Sequence, residues 1–581
     1  MSTDTQSFQG VAQTTPLEPA LGDTDVTRPV PTVPLQNTPT PPVARRLTTA
    51  TVLTVLGVLV PFAIMTWMAA VSAPTFDGGM NLQVARNLAN GTGYARDYGG
   101  LHFYPPEVQT SGVYIYLAAL LIKIFGAHTF VFQLPNLLFI LMLLVTVSVG
   151  LRRWPVLRVI GPTVVLFAVP GLLENAMNGY GEYVVGALVL LGIVLLSTAV
   201  SSRRPVLMAT IAFALLSVAL TIKVVVVIAI PVLVVGLIGL AMVRRDVRGW
   251  KWVGALAALL VPLAVNEIYR LVSIGSISAY GAFWQNQLSE IGGQAGVSAT
   301  GQAGTAVAEQ GPGLLQTIAD HLHLLSVGTA IPAEVLGLIV VLPFAALIAL
   351  FVARRTSWRS WLARPGALLS IQLTAYSGGY LVWWLAITPT EKAWLRRIAI
   401  GLLALAFLYL ALAGMVRDRM KDRAPVVSTR GRVVGRIGWG LAAAATFVVT
   451  LSSLATVRTQ AVAALGSSDQ REQQVLALAA RAEQLAAGGN HLFGNGWWSA
   501  PVVSLYAKLP LRDLSKTAVC DPTADFASGK NYLIWDFYAL NIASVAPQGR
   551  FYTFEQIPGS DTGYGGIWKI VLRPGVTCPL G

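Results

Sequence analysis

Between residues 48 and 454 the sequence is dominated by long apolar runs separated by short polar loops, and this pattern leaves few folds open. About 20 apolar residues of helix cross a hydrocarbon core about 30 Å thick. Backbone in lipid must satisfy its own hydrogen bonds, so such runs are helices. The candidate spans are 48–71, 131–151, 157–173, 183–200, 205–222, 224–243, 251–271, 331–353, 364–387, 394–415 and 432–454. Only 12% of the 581 residues are charged and 54% are hydrophobic, whereas soluble domains carry about 25% charged residues. The fold class is therefore a polytopic α-helical membrane protein with about eleven spans.

Basic clusters set the orientation. Arg45-Arg46 precede the first span. Arg152-Arg153, Arg203-Arg204, Arg244-Arg245, Arg354-Arg355 and the run from Arg417 to Arg423 then occupy every second loop. These loops are expected to be cytoplasmic, which puts the N-terminus inside and the C-terminus outside. The net charge of +14 is explained by this alternation, so it does not imply nucleic-acid binding. Residues 1–44, rich in Thr, Pro, Gln and Val, read as a disordered cytoplasmic tail. Residues 45–454 form the membrane domain.

Three segments fall outside: the loops 72–130 and 272–330, and the tail 455–581. The stretch GGQAGVSATGQAGTAVAEQG in the second loop reads as flexible. In the first loop, MNLQVARNLAN is amphipathic and SGVYIYLAALLIKIFG is apolar but ends in Lys and Gly. Both are expected to be helices at the membrane surface, because counting the second as a span would invert every later basic loop. The tail reads as a small α/β domain, with DQREQQVLALAARAEQLAAGG a helix and NYLIWDF, RFYTFEQI and GGIWKIVL strands. Cys520 and Cys578 both lie in it. Outside the cytoplasm a disulfide between them is permitted, and two free thiols are the alternative.

Charges at a membrane boundary are costly, so those found there are informative. Asp77, in PTFDGGMN, follows the first span beside two glycines that let a ligand approach the backbone; it equally suits a helix N-cap. HFYPPEVQTSG places His102 and Tyr104, acceptor-side candidates, before Glu107, where an acid also suits the helix dipole. Glu174 and Glu182 bracket the short outer loop ENAMNGYGEY, facing either headgroups or a cavity, and Glu182 joins His102 and Tyr104 as an acceptor-side candidate. TPTEKAWLRRIAI carries Lys392, Arg396 and Arg397 at the outer start of the tenth span, against the positive-inside trend, with 392 and 396 on one helical face. An outer basic cluster suits an anionic ligand, most simply a phosphate. Lys223, in LTIKVVVV, is a second outer cation, with snorkelling as its alternative. His321 and His323 in ADHLHLL have the spacing of a metal pair, but two histidines without further ligands are weak grounds for a metal.

Carboxylates and cations thus converge on the outer leaflet, where a lipid phosphate carrying a sugar arrives by lateral diffusion. A carboxylate takes the acceptor hydroxyl's proton as that oxygen attacks the anomeric carbon. The lipid phosphate departs without a general acid when cations offset its charge. Direct displacement inverts the anomeric centre.

The chain resembles the GT-C superfamily of polyprenyl-phosphate-sugar-dependent glycosyltransferases, most nearly the bacterial branch of aminoarabinose transferases and protein O-mannosyltransferase-like enzymes. The resemblance runs from about residue 48 to 415. It rests on the order and spacing of FDGGMNLQVARNLANGTGY, FYPPEVQTSGVYIYLAALLIKIFG followed by a span ending LRRW, and ENAMNGYGEYVVGALVLLG. It implies that Asp77 is the catalytic base, that Glu107 or Glu174 is a second acid near the acceptor, and that Lys223, Lys392, Arg396 and Arg397 hold the donor phosphate. It also implies two juxtamembrane helices, 80–90 and 111–126, and a place in the prokaryotic plasma membrane, with a cell-envelope glycan, lipid or protein as acceptor. Many members carry paired acids where Gly78 and Gly79 follow Asp77 here. No cofactor is therefore expected, although a divalent metal remains an alternative.

Two other functions fit the same spans. A lipid-linked sugar transporter would place charges along a pathway and often shows internal repeats; no repeat is evident and the charges lie at the edges of the spans, and counterflow of a labelled lipid would separate a transporter from a transferase. A non-catalytic protein with an external glycan-binding domain, using HLFGNGWWSAP, would tolerate loss of the membrane acids and cations.

Overall fold

The structure is a computed structural model. It describes residues 43–74, 76–105, 108, 110–167, 176–179, 181–294, 313–329, 332–352, 357–364, 366–388, 395–423, 469–495, 500–514, 529–536, 551–562 and 565–576. The chain divides into two compact units, 1–49 and 50–581; the architecture below is that of the second.

Helix α1 (Val43–Val71) leads to α2 (Phe76–Ala89), the hairpin β1 (Ala95–Arg96) and β2 (His102–Phe103), and α3 (Gly112–Phe125). The bundle continues with α4 (Thr129–Gly150), α5 (Pro155–Phe167), α6 (Glu182–Ala199), α7 (Pro205–Ile222) and α8 (Ala229–Val243). Next come α9 (Gly249–Ala257), α10 (Leu260–Ile274), α11 (Ile277–Gln294), α12 (Leu314–Thr329), α13 (Ala333–Val352), α14 (Trp358–Leu362), α15 (Ala367–Val382) and α16 (Leu395–Arg423). Eight helical segments among the described residues are long and apolar enough to cross a membrane. Expected spans 157–173 and 364–387 appear as α5, described as far as Phe167, and as α15 with a π-turn over Trp383–Ile387. The expected span 432–454 and the tail 1–42 lie outside the described residues, as does most of the flexible stretch after Gln294.

The interior of the bundle is contiguous: Met65, Phe213, Phe407 and Tyr380 are all fully buried and belong to one packed cluster. By contrast, α10 and α13 turn apolar side chains outward, with Val261 62% and Leu338 69% exposed. Such apolar exposure belongs in lipid, not water.

The arginine-bearing loops gather at one end of the bundle. Arg244 donates to the carbonyl of Ser202 (2.6 Å), Arg419 to that of Leu350 (3.1 Å), and Trp154 to Asp418 (2.9 Å). Arg152, Arg153 and Arg364 line one pocket there with Ser197, Thr198 and Ser201. The opposite end carries α2, α3 and the C-terminal domain.

That domain comprises α17 (Asp469–Ala487), β3 (His491–Asn495), α18 (Ala500–Ala507), β4 (Arg512–Asp513), β5 (Asn531–Asp536), β6 (Tyr552–Gln556) and β7 (Gly565–Leu572). Its sheet runs β4-β3-β5-β7-β6. The strands β4, β3 and β5 are parallel, while β7 is antiparallel to β5 and β6. The three expected strands and the helix are present. β3 and α18 come from HLFGNGWWSAP and the residues after it, and both are buried: Phe493 lies in the domain's own interior, while Val502 and Val503 join the packed cluster of the bundle. Cys520 and Cys578 lie outside the described residues.

Candidate active site

Asp77 occupies the first turn of α2. Gly78 is needed beside it, because a Cβ there would overlap the Asn178 carbonyl oxygen. The helix therefore touches the 176–179 segment backbone to backbone, and Asn81 donates to the Gly179 carbonyl at 2.8 Å. That segment leads into Glu182 at the start of α6, through Gly181 at φ +82°. A Cβ on Gly181 would meet Thr110 at 2.7 Å and the Lys223 side chain at 3.5 Å.

Lys223 stands at a break in the chain: α7 ends before it and a 3-10 turn follows. The start of α3 is fastened to the same point, with Ser111 donating to the carbonyls of Thr221 (2.6 Å) and Ile222 (3.1 Å). A hydrogen-bond chain joins α3 to the end of α1. Tyr114 donates to Asn136 (3.1 Å), Asn136 to Gln133 (2.9 Å) and Gln133 to the Ser72 carbonyl (2.9 Å).

Two ion pairs result. Lys223 Nζ lies 2.6 Å from Glu182 Oε1, with side chains 17% and 7% exposed. Glu182 Oε2 is buried and has no hydrogen-bond partner among the described residues. Arg396, at the start of α16, donates to the Asp77 carboxylate. Arg397 beside it lies within electrostatic reach of both Asp77 and Glu182. The structure thus brings together Asp77, Glu182, Lys223, Arg396 and Arg397 from four separate elements. Glu182, read from sequence as an acceptor-side residue, is bonded to a cation read as a phosphate ligand. Glu107, Glu174 and Lys392 lie outside the described residues.

His102 and Tyr104 sit apart in the hairpin. The His102 ring bonds the Gly99 carbonyl at 2.9 Å. Tyr104 adopts φ +50°, stacks on Tyr94 at 5.1 Å and meets Phe283 edge-on at 6.1 Å. The histidine pair divides across α12: His321 is buried, bonded to the Leu385 carbonyl (3.1 Å) and against Trp384, while His323 is exposed. Residues two apart on a helix point away from each other, so the two rings do not share a ligand site. No group of three metal-ligating side chains occurs among the described residues.

Residues that sequence reasoning missed hold α2 from its other side. The helix reads as amphipathic, yet its polar residues Asn81, Gln83, Arg86 and Asn87 are all at most 5% exposed: Gln83 and Arg86 face the C-terminal domain, Asn81 the 176–179 segment and Asn87 the hairpin. Gln83 donates to the Pro501 carbonyl at 2.6 Å and accepts from the backbone of Asp97 and Tyr98, both at 3.0 Å. Arg86 pairs with Asp97 and donates to the carbonyls of Ser504 and Leu505. Burial pulls the Arg86 pKa down, with Asp97 opposing the shift. The C-terminal domain is thereby bonded to the helix that carries Asp77.

No family model and no curated protein matches the sequence. Among solved structures, ArnT from Cupriavidus metallidurans bound to undecaprenyl phosphate aligns with a TM-score of 0.53 at 13% identity, over 90% of this chain and 98% of that one. Its apo form gives 0.52 at 14% identity over the same shares. A weaker likeness, 0.45 at 11% identity over 91% of this chain and 75% of that one, runs to an oligosaccharyltransferase of Archaeoglobus fulgidus. The chain shares the fold of ArnT: a multi-pass helical membrane bundle with a small C-terminal sheet domain.

Proposed function

We propose that the protein is an inverting glycosyltransferase that moves a sugar from a polyprenyl-phosphate donor to an acceptor hydroxyl on the extracytoplasmic face. The observation that carries this reading is the convergence of Asp77 and Glu182 with Lys223, Arg396 and Arg397 at one end of the bundle. Asp77 is the base. It stands at a helix N-terminus beside glycine, a third exposed, and its carboxylate is oriented by Arg396.

The acceptor oxygen attacks the anomeric carbon while its proton passes to Asp77. The anomeric carbon–oxygen bond breaks, and its electron pair stays on the lipid phosphate. Lys223, Arg396 and Arg397 stabilise the charge that grows there. A phosphate monoester has a second pKa of about 6 and leaves without a general acid. The step as written requires no metal. The GT-C fold, and the undecaprenyl phosphate in ArnT, favour a polyprenyl carrier. The gathering of the basic loops at the opposite end favours that end as cytoplasmic in a prokaryotic plasma membrane. The acceptor is then a glycan, lipid or protein of the cell envelope.

The test is transfer by purified protein in nanodiscs, using labelled polyprenyl-phosphate sugars and a cell-envelope acceptor extract, with and without chelator. Wild type is expected to transfer and Asp77→Asn to lose activity by about 10²–10⁴-fold while folded. Transfer that survives Asp77→Asn moves the base to Glu182, Glu107 or Glu174. Absence of transfer from any donor, with counterflow of labelled lipid, supports a transporter instead.

A further inference from the structure

The cations of the site are not a bare cradle: each of two carries a carboxylate. Lys223 Nζ is 2.6 Å from Glu182, and Arg396 is bonded to Asp77. Arg397 lies within reach of both acids. Glu182 is nearly sealed, and its second oxygen is unpartnered among the described residues. It is thus placed to act on Lys223 at close range and little screened.

We propose that Asp77 and Glu182 are internal competitors of phosphate, which make the site select the singly charged phosphodiester donor over the monoester product. This rests on the donor reading above. A diester donor carries one negative charge. Transfer forms the bond from the acceptor oxygen to the anomeric carbon and breaks the bond to phosphate, which keeps the electron pair. The acceptor's proton goes to Asp77, so the total charge of the site is unchanged in that step. The monoester left behind carries about −1.5 to −2 at neutral pH. When Asp77 gives its proton to water, a carboxylate returns to the site beside a product that carries more negative charge than the donor did. The Asp77 carboxylate then competes for Arg396 while Glu182 competes for Lys223. Product leaves because the protein supplies its own anions.

Binding separates this reading from the donor reading. Two probes suffice: a polyprenyl monophosphate and its methyl phosphodiester, which cannot transfer. Wild type is expected to hold the diester at least as well as the monoester. Glu182→Gln adds one positive charge to the site and should tighten the monoester by about tenfold, with a smaller effect on the diester. Asp77→Asn should do the same at Arg396. Adding Lys223→Gln to Glu182→Gln restores the charge and should restore the wild-type preference. If Glu182→Gln does not fold, Asp77→Asn decides, because its side chain is 33% exposed. Folded variants that bind the monoester no tighter than wild type overturn the competitor role alone. Binding of neither lipid by wild type overturns the donor reading as well.

Discussion

Helix α2 carries an ion pair at each end, and the two differ in their surroundings. Near its C-terminal end Arg86 meets Asp97, with side chains only 4% and 12% exposed. The carbonyls of Ser504 and Leu505 also accept from Arg86, and Asn87 donates to Asp97 at 3.0 Å. At the N-terminal end Asp77 meets Arg396, at 33% and 20% exposure. The first pair is sealed under the C-terminal domain and holds the helix in place. The second is open enough for another anion or a proton donor to reach it. One helix thus joins a fixed anchor to an exchangeable pair, and rigidity at the first is what gives the second a defined position.

The largest expected effect breaks the anchor. Arg86→Ala leaves Asp97 buried without its cation, which costs about 3–5 kcal/mol. A large fall in thermal stability is expected, with loss of the protection of α18 in hydrogen exchange. Replacing both partners, Arg86→Met with Asp97→Leu, should recover much of that loss, because no charge is then stranded. Equal instability of single and double variants would show that shape at this site, not charge, holds the domain.

Alkaline pH loosens the same contact by a second route. Tyr98, in the turn of the hairpin, packs against β3 at Gly494 and is 4% exposed. Burial raises its hydroxyl pKa well above 10.0, with Asp513 adding to the shift and Arg96 opposing it. The folded state therefore keeps a proton that the unfolded chain loses at about pH 10. Its contribution is complete below that pH and is lost as pH rises above it. Melting temperature should fall between about pH 9.5 and 11.5, and Tyr98→Phe should remove part of that slope. A slope unchanged in Tyr98→Phe would place the alkaline weakness elsewhere.

Arg396→Ala is the matching test of the open pair. A partly exposed ion pair contributes at most about 1 kcal/mol to stability. The melting temperature should barely move, in contrast with Arg86→Ala, while binding of polyprenyl monophosphate weakens. A stability loss as large as that of Arg86→Ala would erase the distinction between the two ends.

The spans and both helices of the loop 72–130 are legible in the sequence, because a long apolar run in lipid admits only a helix. The charges that the structure gathers at the candidate site are also legible, since Asp77, Glu182, Lys223 and Arg396 stand out beside apolar runs. Their pairing is not. Lys223 reads as a cation without a nearby acid, and its partner lies 41 residues away. The anchor is less legible still. MNLQVARNLAN has a polar face that fits water equally well, and the surface covering it begins 418 residues later at Pro501. HLFGN, with its glycine and asparagine, has weak strand propensity, and APVVSLYA reads as a strand as readily as a helix. Both are fixed by neighbours: β3 by the parallel strands β4 and β5, and α18 by the polar face of α2.

The smallest expected effect sharpens the comparison from the anchor's far side. Helix α18, whose carbonyls receive Arg86, ends at Ala507, and Lys508 follows at φ +54° with its side chain exposed. This left-handed position after a helix favours glycine. In a residue with a Cβ it costs about 1 kcal/mol, partly offset in a glycine variant by the greater freedom of the unfolded chain. Lys508→Gly is therefore expected to stabilise the C-terminal domain slightly, by at most about 1 kcal/mol, seen as slower exchange of the α18 amides. Because the anchor is already rigid, lipid-phosphate affinity at Arg396 should stay at the wild-type value. If that affinity shifts with Lys508→Gly, the two ends of α2 are coupled, and the C-terminal domain tunes the site rather than merely holding its helix.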